Sequence, residues 1–383
     1  MKGSPSHKPP NVDFVYFDAG GGHRAAATAL KQVIEEQQRP WNVRLVNLQE
    51  LLEPMDVFKK ATGIRLEEIY NKMLARGWTL GSFFGLRFMH GVIQVMHRPT
   101  RRMLAQHWLN SQPDLVVSVV PNFNRALYES LRLALPAVPF VTILTDFADY
   151  PPHFWMEPNQ DQYLICGTAK AAAQARAIGY PPERILPTSG MILRPRFYEA
   201  LNVDRDAERR RLGLDPARPT GLVLFGGQGS RVMRQIAERL PDTQLIFICG
   251  KNEALAESLR ALPSRAPKFV EGFTQQVPYY MRLADFFIGK PGPGSISEAI
   301  AMKLPVIVER NAWTLIQERY NTEWVAENQV GLVVNNFNTI GRAVEELLAK
   351  LPAYRARAEQ IENRAIFEIP PMLEQLLNSK ARK

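Results

Sequence analysis

Nine short apolar runs rich in Val, Ile and Phe recur along the chain, at 12–17, 43–47, 115–120, 139–144, 163–166, 222–225, 244–249, 285–288 and 305–308. Helix-like segments separate them. That rhythm predicts βαβ units and parallel sheets, an α/β class. It breaks over 187–221, where proline and charge crowd together, and a junction near residue 195 follows. At 383 residues the chain is long for one core, so two domains are expected. The expected divisions are a lead at 1–11, domains at 12–195 and 196–351, and C-terminal helices at 352–383 that pack back on the first domain and break at Pro370 and Pro371. The two halves read as two copies of one architecture.

With 46% hydrophobic and 22% charged residues the composition is that of an ordinary globular protein. The start, "MKGSPSHKPPNVDF", has no apolar secretory core and reads as a disordered lead-in. No run is long enough to cross a bilayer. Cys166 and Cys249 lie in apolar runs and read as buried, reduced small hydrophobes. The net charge of +9 is concentrated: from Val57 to Gln106 nine Lys or Arg face only Glu67 and Glu68, a balance of +7. Such a patch implies an anionic partner. Nucleic acid is the weaker choice, because no helix-turn-helix, RNP or zinc signature accompanies the charge. Residues 78–104 combine Trp78, Phe83 and Phe84 with Arg98, Arg101 and Arg102. That stretch fits an interfacial element on an anionic membrane, and equally a core helix with solvated ends.

Three glycine-rich turns follow strands: "FDAGGGHRAAA" (17–27), "FGGQGSRVM" (225–233) and "FIGKPGPGSISEAI" (287–300). Glycine lets a ligand reach the backbone, and a helix starting just beyond offers free N–H groups to phosphate. No Walker-type P-loop and no dinucleotide fingerprint occurs. His23 is the first functional group after Gly20, Gly21 and Gly22, and imidazole suits a general base. Asp18 and Asp146 end apolar strands, and either could orient His23, act as the base, or merely cap a turn. In the third turn Ser295 and Glu298 have the spacing of a capping box, and Glu298 alternatively suits ribose hydroxyls. No acidic, His or Cys cluster has metal-ligand spacing, so no metal is expected.

The segments "DAGGGHRAAATAL", "ILTDFADYPPHFW", "LIFICGKNEALAESLRAL", "EGFTQQVPYYMRLADFFIGKPGPGSISEAIAMKLPVIV" and "IQERYNTEWVAENQVGLVV" occur in the order seen in monogalactosyldiacylglycerol synthases. The chain resembles that family over roughly 12–350, shares much with processive diacylglycerol glucosyltransferases, and is more distantly similar to the peptidoglycan N-acetylglucosaminyltransferase. The resemblance implies a GT-B fold, two Rossmann-like domains facing across a cleft, and inverting chemistry with no cofactor beyond a UDP-sugar donor. The first domain would hold diacylglycerol or a similar lipid, with His23 at its floor, Gly21, Gly22 and Trp155 on the acceptor side, and the 78–104 segment against an anionic membrane. The second would hold the donor: Gly227, Gly229, Gly292, Gly294 and Ser295 at the diphosphate, Lys290 beside it, Glu298 on ribose, Gln317 and Glu318 on the sugar, and the backbone around Phe273 on uracil. Two departures stand out. "AWTLIQE", with Trp313 and Leu315, replaces a Pro-Gly, and "DYPPHFW" replaces a His-Pro-Thr-Trp. The expected activity is transfer of a hexose, galactose first, to diacylglycerol by an enzyme bound peripherally at the inner, cytoplasmic membrane face. Glucosyl transfer, or a UDP-sugar epimerase or hydrolase on the same scaffold, are the alternatives.

Overall fold

The structure, a computed structural model, describes residues 8–18, 22–53, 82–200 and 202–380, with the backbone alone described at 82–94 and 380. The predicted lead (1–7 of it), Trp78 and most of the basic window lie outside the described residues.

The first unit runs to Ile192 and resumes at Arg364. It contains β1 (Asn11–Tyr16), α1 (Gly22–Glu36), β2 (Asn42–Asn47), α2 (Leu48–Leu52), α3 (Ser82–Ser111), β3 (Leu115–Ser118), α4 (Asn124–Ala134), β4 (Phe140–Ile143), β5 (Tyr163–Cys166), α5 (Ala169–Ala177) and β6 (Ile185–Pro187). All neighbouring strands pair in parallel, in the order β2-β1-β3-β4-β5-β6. Every residue of β3 and β4 is buried, which accounts for their mostly Val, Leu, Ile and Phe content, with Ser118 and Thr142 the polar members. Ala26, Ala27, Leu30, Val33 and Ile34 form the buried stripe of α1.

The second unit is built on Leu193–Asn363. It holds α6 (Arg205–Arg211), β7 (Thr220–Leu224), α7 (Val232–Arg239), β8 (Gln244–Ile248), α8 (Glu253–Ala261), β9 (Lys268–Glu271), α9 (Val277–Leu283), β10 (Phe286–Gly289), α10 (Pro293–Ala301), β11 (Val306–Glu309), α11 (Arg319–Glu327), β12 (Gly331–Val334), α12 (Ile340–Ala349) and α13 (Leu351–Gln360). Its parallel sheet has the order β12-β11-β10-β7-β8-β9. A core of Val223, Phe247, Phe286, Ile288 and Ile307 from the sheet packs against Met233, Ile236, Leu259, Val344 and Leu347 from the helices.

The two sheets are therefore not copies. After its second strand the first sheet crosses back past β1, whereas the second adds a third strand on the same side before crossing back past β7. Each has one switch point, β1/β3 and β7/β10, where loops diverge beyond the carboxyl ends of adjacent strands and leave room for a ligand.

The chain changes units between Ile192 and Leu193, and again at Arg364 rather than near 352. The last helix, α14 (Ala365–Lys380), packs on α1, with Arg39 Nη1 2.7 Å from Glu374 Oε2. It continues through Pro370 and Pro371, which were expected to break it. Two missing N–H donors are offset by an apolar face in which Ile366, Ile369, Leu373, Leu376 and Leu377 are buried.

Candidate functional site

At the first switch point His23 is the second residue of α1, just past the glycine turn. Its Nδ1 lies 3.3 Å from Thr145 Oγ1, and its ring meets the edge of Trp155 at 6.0 Å between centroids. Burial lowers the imidazole pKa to about 4, while a hydrogen bond to the Val119 backbone works weakly the other way. Val119 and Thr145 follow the ends of β3 and β4, so residues beyond two strand ends meet this ring. At neutral pH it is uncharged, the state in which an imidazole can take up a proton. Sequence reading missed Thr145 and Val119; Thr145 sits just past the predicted run 139–144, a position where such sheets gather polar groups, whereas Val119 lies within the predicted run 115–120 and acts through its backbone.

The two acidic candidates have different surroundings. Asp18 pairs with Arg24 at 3.0 Å, both largely solvent-exposed, and its amide donates to Gln49 Oε1 at 3.2 Å. A pair so exposed steadies the helix start only slightly. Asp146 is buried, and its Oδ2 accepts the Trp155 indole N–H at 2.8 Å. Its carbonyl accepts the Tyr150 hydroxyl at 2.7 Å. The indole that Asp146 holds is the one whose edge His23 meets. Trp155 was expected on the acceptor or membrane surface. It is instead fully buried, because its N–H goes to Asp146 and its carbonyl to Asn124 Nδ2 at 3.0 Å. Of the glycines, Gly20 and Gly21 lie outside the described residues, and a Cβ added to Gly22 would meet nothing within 4 Å.

Helix α3 combines both readings of the greasy segment. Leu104, Ala105 and Trp108 are buried in the core, the Trp108 N–H donating to Ser130 Oγ at 2.8 Å. Elsewhere on the helix Arg98 and Arg102 are exposed, as is Val95 at 80%. Arg101 shares Glu129 with His97 and Arg125, at 3.6, 2.7 and 2.9 Å. Phe83 and Phe84 lie on the helical backbone, their side chains outside what is described. Among the described residues no helix is long and apolar enough to cross a membrane.

At the second switch point, Gly226 and Gly229 take φ of +80° and +61°. The Gly229 amide closes the turn on the Gly226 carbonyl at 3.1 Å. A second turn braces it: the Lys251 amide donates to the Gly227 carbonyl at 2.9 Å, and a Cβ on Gly250 would come within 2.2 Å of that oxygen. Gly227 itself has open space where a Cβ would stand, and so does Gly294.

Beyond β10, α10 begins at Pro293 with Gly292 as N-cap and no side-chain cap. Ser295 is thus the third residue of the helix and not its cap, and the expected capping box does not form. Proline suits the first helical position because its missing N–H would have no partner there. The start leaves the N–H groups of Gly294 and Ser295 without a capping side chain. Lys290 Nζ stands 3.8 Å from Glu318 Oε1, and Gln317 shares the 3₁₀ turn Ile316–Glu318. Buried Asn321 braces the loop before α10, donating to the Pro291 carbonyl at 2.8 Å. Released from capping, Glu298 meets Arg194 Nη2 at 3.4 Å; burial raises its pKa and Arg194 draws it back down. Phe273 is 60% exposed, with Lys251 Nζ 5.6 Å over its ring. Arg194 and Asn321 had no turn or strand-end signal of their own, whereas Lys251 follows Gly250 just past the predicted run 244–249 and could have been found there. Among the described residues no group of three His, Cys, Asp or Glu side chains could hold a metal ion.

Residues 23–191 match the family model for monogalactosyldiacylglycerol (MGDG) synthase, and 222–370 match the glycosyltransferase family 28 C-terminal domain. A probable monogalactosyldiacylglycerol synthase 2, chloroplastic, from Oryza sativa subsp. japonica is 29% identical over 84% of this chain and 70% of its own length. The monogalactosyldiacylglycerol synthase, chloroplastic, of Spinacia oleracea is 27% identical over 88% of this chain, which spans 66% of that relative. Among solved structures, Acinetobacter baumannii MurG superposes with a TM-score of 0.58 at 13% identity, covering 96% of this chain and all of that one. The UDP-GlcNAc 2-epimerase of Neisseria meningitidis does so with 0.59 at 16% identity, again over 96% and 100%. Two parallel six-stranded sheets, the order of the matched segments and these likenesses agree: the chain is similar to monogalactosyldiacylglycerol synthases over most of its length and has the GT-B glycosyltransferase fold.

Proposed function

We propose that this protein transfers a hexose, galactose first, from a UDP-sugar to diacylglycerol at an anionic membrane surface, with inversion at the anomeric carbon. The observation that carries the reading is His23, an imidazole kept uncharged at a switch point in a chain similar to monogalactosyldiacylglycerol synthases. In the reaction the acceptor hydroxyl oxygen forms a bond to the anomeric carbon while the bond from that carbon to the UDP oxygen breaks. His23 takes the hydroxyl proton, and UDP leaves with the bonding pair. The departing diphosphate meets Lys290 and the N–H groups of Gly294 and Ser295, with Gly227 and Gly229 leaving the backbone accessible. In this reading that positive field does the work a metal ion would do, and no further cofactor is needed. Glu298 accepts from the ribose, Gln317 and Glu318 from the sugar, and the chain at Phe273 borders the base.

The exposed Arg98 and Arg102 on α3 support docking on anionic lipid, as a peripheral enzyme on the inner, cytoplasmic membrane face. The deciding experiment supplies UDP-galactose and UDP-glucose separately, with diacylglycerol in anionic or neutral liposomes. The expected result is a glycolipid from UDP-galactose, more of it on anionic vesicles. A glycolipid from UDP-glucose alone would change the donor. UDP release with no glycolipid would replace lipid transfer with hydrolysis or epimerisation.

A further inference from the structure

Arg194 is the second residue of the C-terminal unit, one position after the chain crosses into it at Leu193. Its backbone is extended (φ −64°, ψ 143°) and opens the 3₁₀ turn Pro195–Phe197. Pro195 and Phe197 are buried, and the Phe197 ring centroid lies 5.4 Å from the guanidinium carbon, so the side chain has an anchored base and a packed flank. From there it reaches Glu298 on α10, 104 residues away in sequence, with Nη2 at 3.4 Å from Oε1. The Glu298 side chain keeps 19% of its surface exposed, leaving a narrow opening for a ligand. Lys290, on the loop before the same helix, is directed to Glu318 instead.

A carboxylate this enclosed takes up a proton unless a fixed cation opposes it, and a protonated carboxyl is a poorer acceptor for two hydroxyls. Guanidinium stays charged at every accessible pH and binds from one side, leaving the other carboxylate oxygen unblocked. We infer that Arg194 is a positioning residue for nucleotide recognition: it holds Oε1 of Glu298 so that the carboxylate stays ionised and turns its second oxygen to the ribose hydroxyls of the donor. This rests on the reading of Glu298 as the ribose acceptor.

The test is titration calorimetry of the full chain with UDP and with 2′,3′-dideoxy-UDP, which keeps base and diphosphate but lacks both hydroxyls. Arg194→Ala should weaken UDP about tenfold and leave dideoxy-UDP within about twofold. In a Glu298→Gln background the same substitution should cost nothing further, because the partner it steadies is already gone. Arg194→Lys, which keeps the charge without the fork, should recover part of the affinity. Equal weakening of both nucleotides would overturn the inference and make Arg194 a direct phosphate contact; unchanged UDP affinity would overturn it too. Should Arg194→Ala fail to fold, Arg194→Lys decides by the same contrast, its loss falling on UDP and not on dideoxy-UDP. A wild-type chain that binds neither nucleotide overturns the donor reading itself, an outcome distinct from a wild type that binds both while Arg194 proves silent.

Discussion

In the N-terminal unit β1 and β3 part around an imidazole that burial keeps uncharged, whereas in the C-terminal unit β7 and β10 part around two ion pairs, Lys290–Glu318 and Arg194–Glu298. The sheet mechanics are alike, since parallel strands that diverge leave loop ends and helix N-termini facing one spot. In the proposed reaction the chemistry differs because the tasks differ. Moving a proton calls for a group without charge at working pH, while holding a diphosphate and a ribose calls for fixed charges. The glycines differ as well. In the second unit Gly229 and Gly250 are required by the protein itself, by positive φ and by neighbouring carbonyls at 2.7 and 2.2 Å from a would-be Cβ. In the first, Gly22 is unconstrained by its surroundings.

The largest expected effect lies on the proton-transfer side. His23→Ala should lower kcat by about 10²–10⁴-fold with UDP affinity kept, as measured by glycolipid formation beside nucleotide titration. Full activity in the variant would remove the imidazole from the mechanism and with it half of the contrast.

Next comes Gly229→Val, which places a β-branched side chain at φ +61° against the Cys249 carbonyl. About 1–3 kcal/mol of stability should be lost in chemical denaturation, and UDP binding should fall with it. Gly22→Ala is the counterpart: it adds a methyl in open space at a helical position, so thermal stability should hold or rise slightly. Any activity lost in that variant then reports a substrate passing close to the backbone.

The pH profile separates the units further. The unfolded chain protonates His23 near its ordinary 6.5, and the folded chain only near 4. Between those values the unfolded state alone takes up the proton, so stability falls as pH drops through that window. The acid limb of kcat/KM should correspondingly lie near 4, and His23→Gln should remove its share of the stability slope. A limb at 6.5 would show that the ring is solvated when substrate binds.

The smallest effect belongs to the surface of α3. Arg98→Glu and Arg102→Glu should each weaken sedimentation with anionic vesicles a few-fold, near 1 kcal/mol per cation, and the difference should shrink as salt is raised. Unchanged partition would move the docking surface away from this helix.

The strands that escaped sequence reading were β6, β9 and β12, each three or four residues long and each at a sheet edge. An edge strand is covered incompletely, so Lys268 and Glu271 are admitted into β9 and the apolar run that marks a central strand never forms. Ser295 misled for a related reason: a capping-box spacing shows that two side chains can reach the backbone, and the actual helix start was set upstream by Gly292 and Pro293. Trp155 was placed on the acceptor side by the family resemblance alone, and one buried acceptor, Asp146, draws the indole inward.

From the sequence alone came whatever depends on local chemistry: nine central and flanking strands, the glycine turns that follow β1, β7 and β10, His23 and Glu298 as reactive types, and the family pattern. Periodicity, glycine and charge act within a few residues, and a chain displays them without folding. Tertiary structure decided what depends on contacts distant in sequence. It set the crossing of the strands, the half-burial of His23 against Val119, Thr145 and Trp155, the burial of Trp155 by Asp146, and the reach of Arg194 to Glu298 across 104 residues. Burial and charge pairing are sums over neighbours in space, and no window along the chain contains those neighbours.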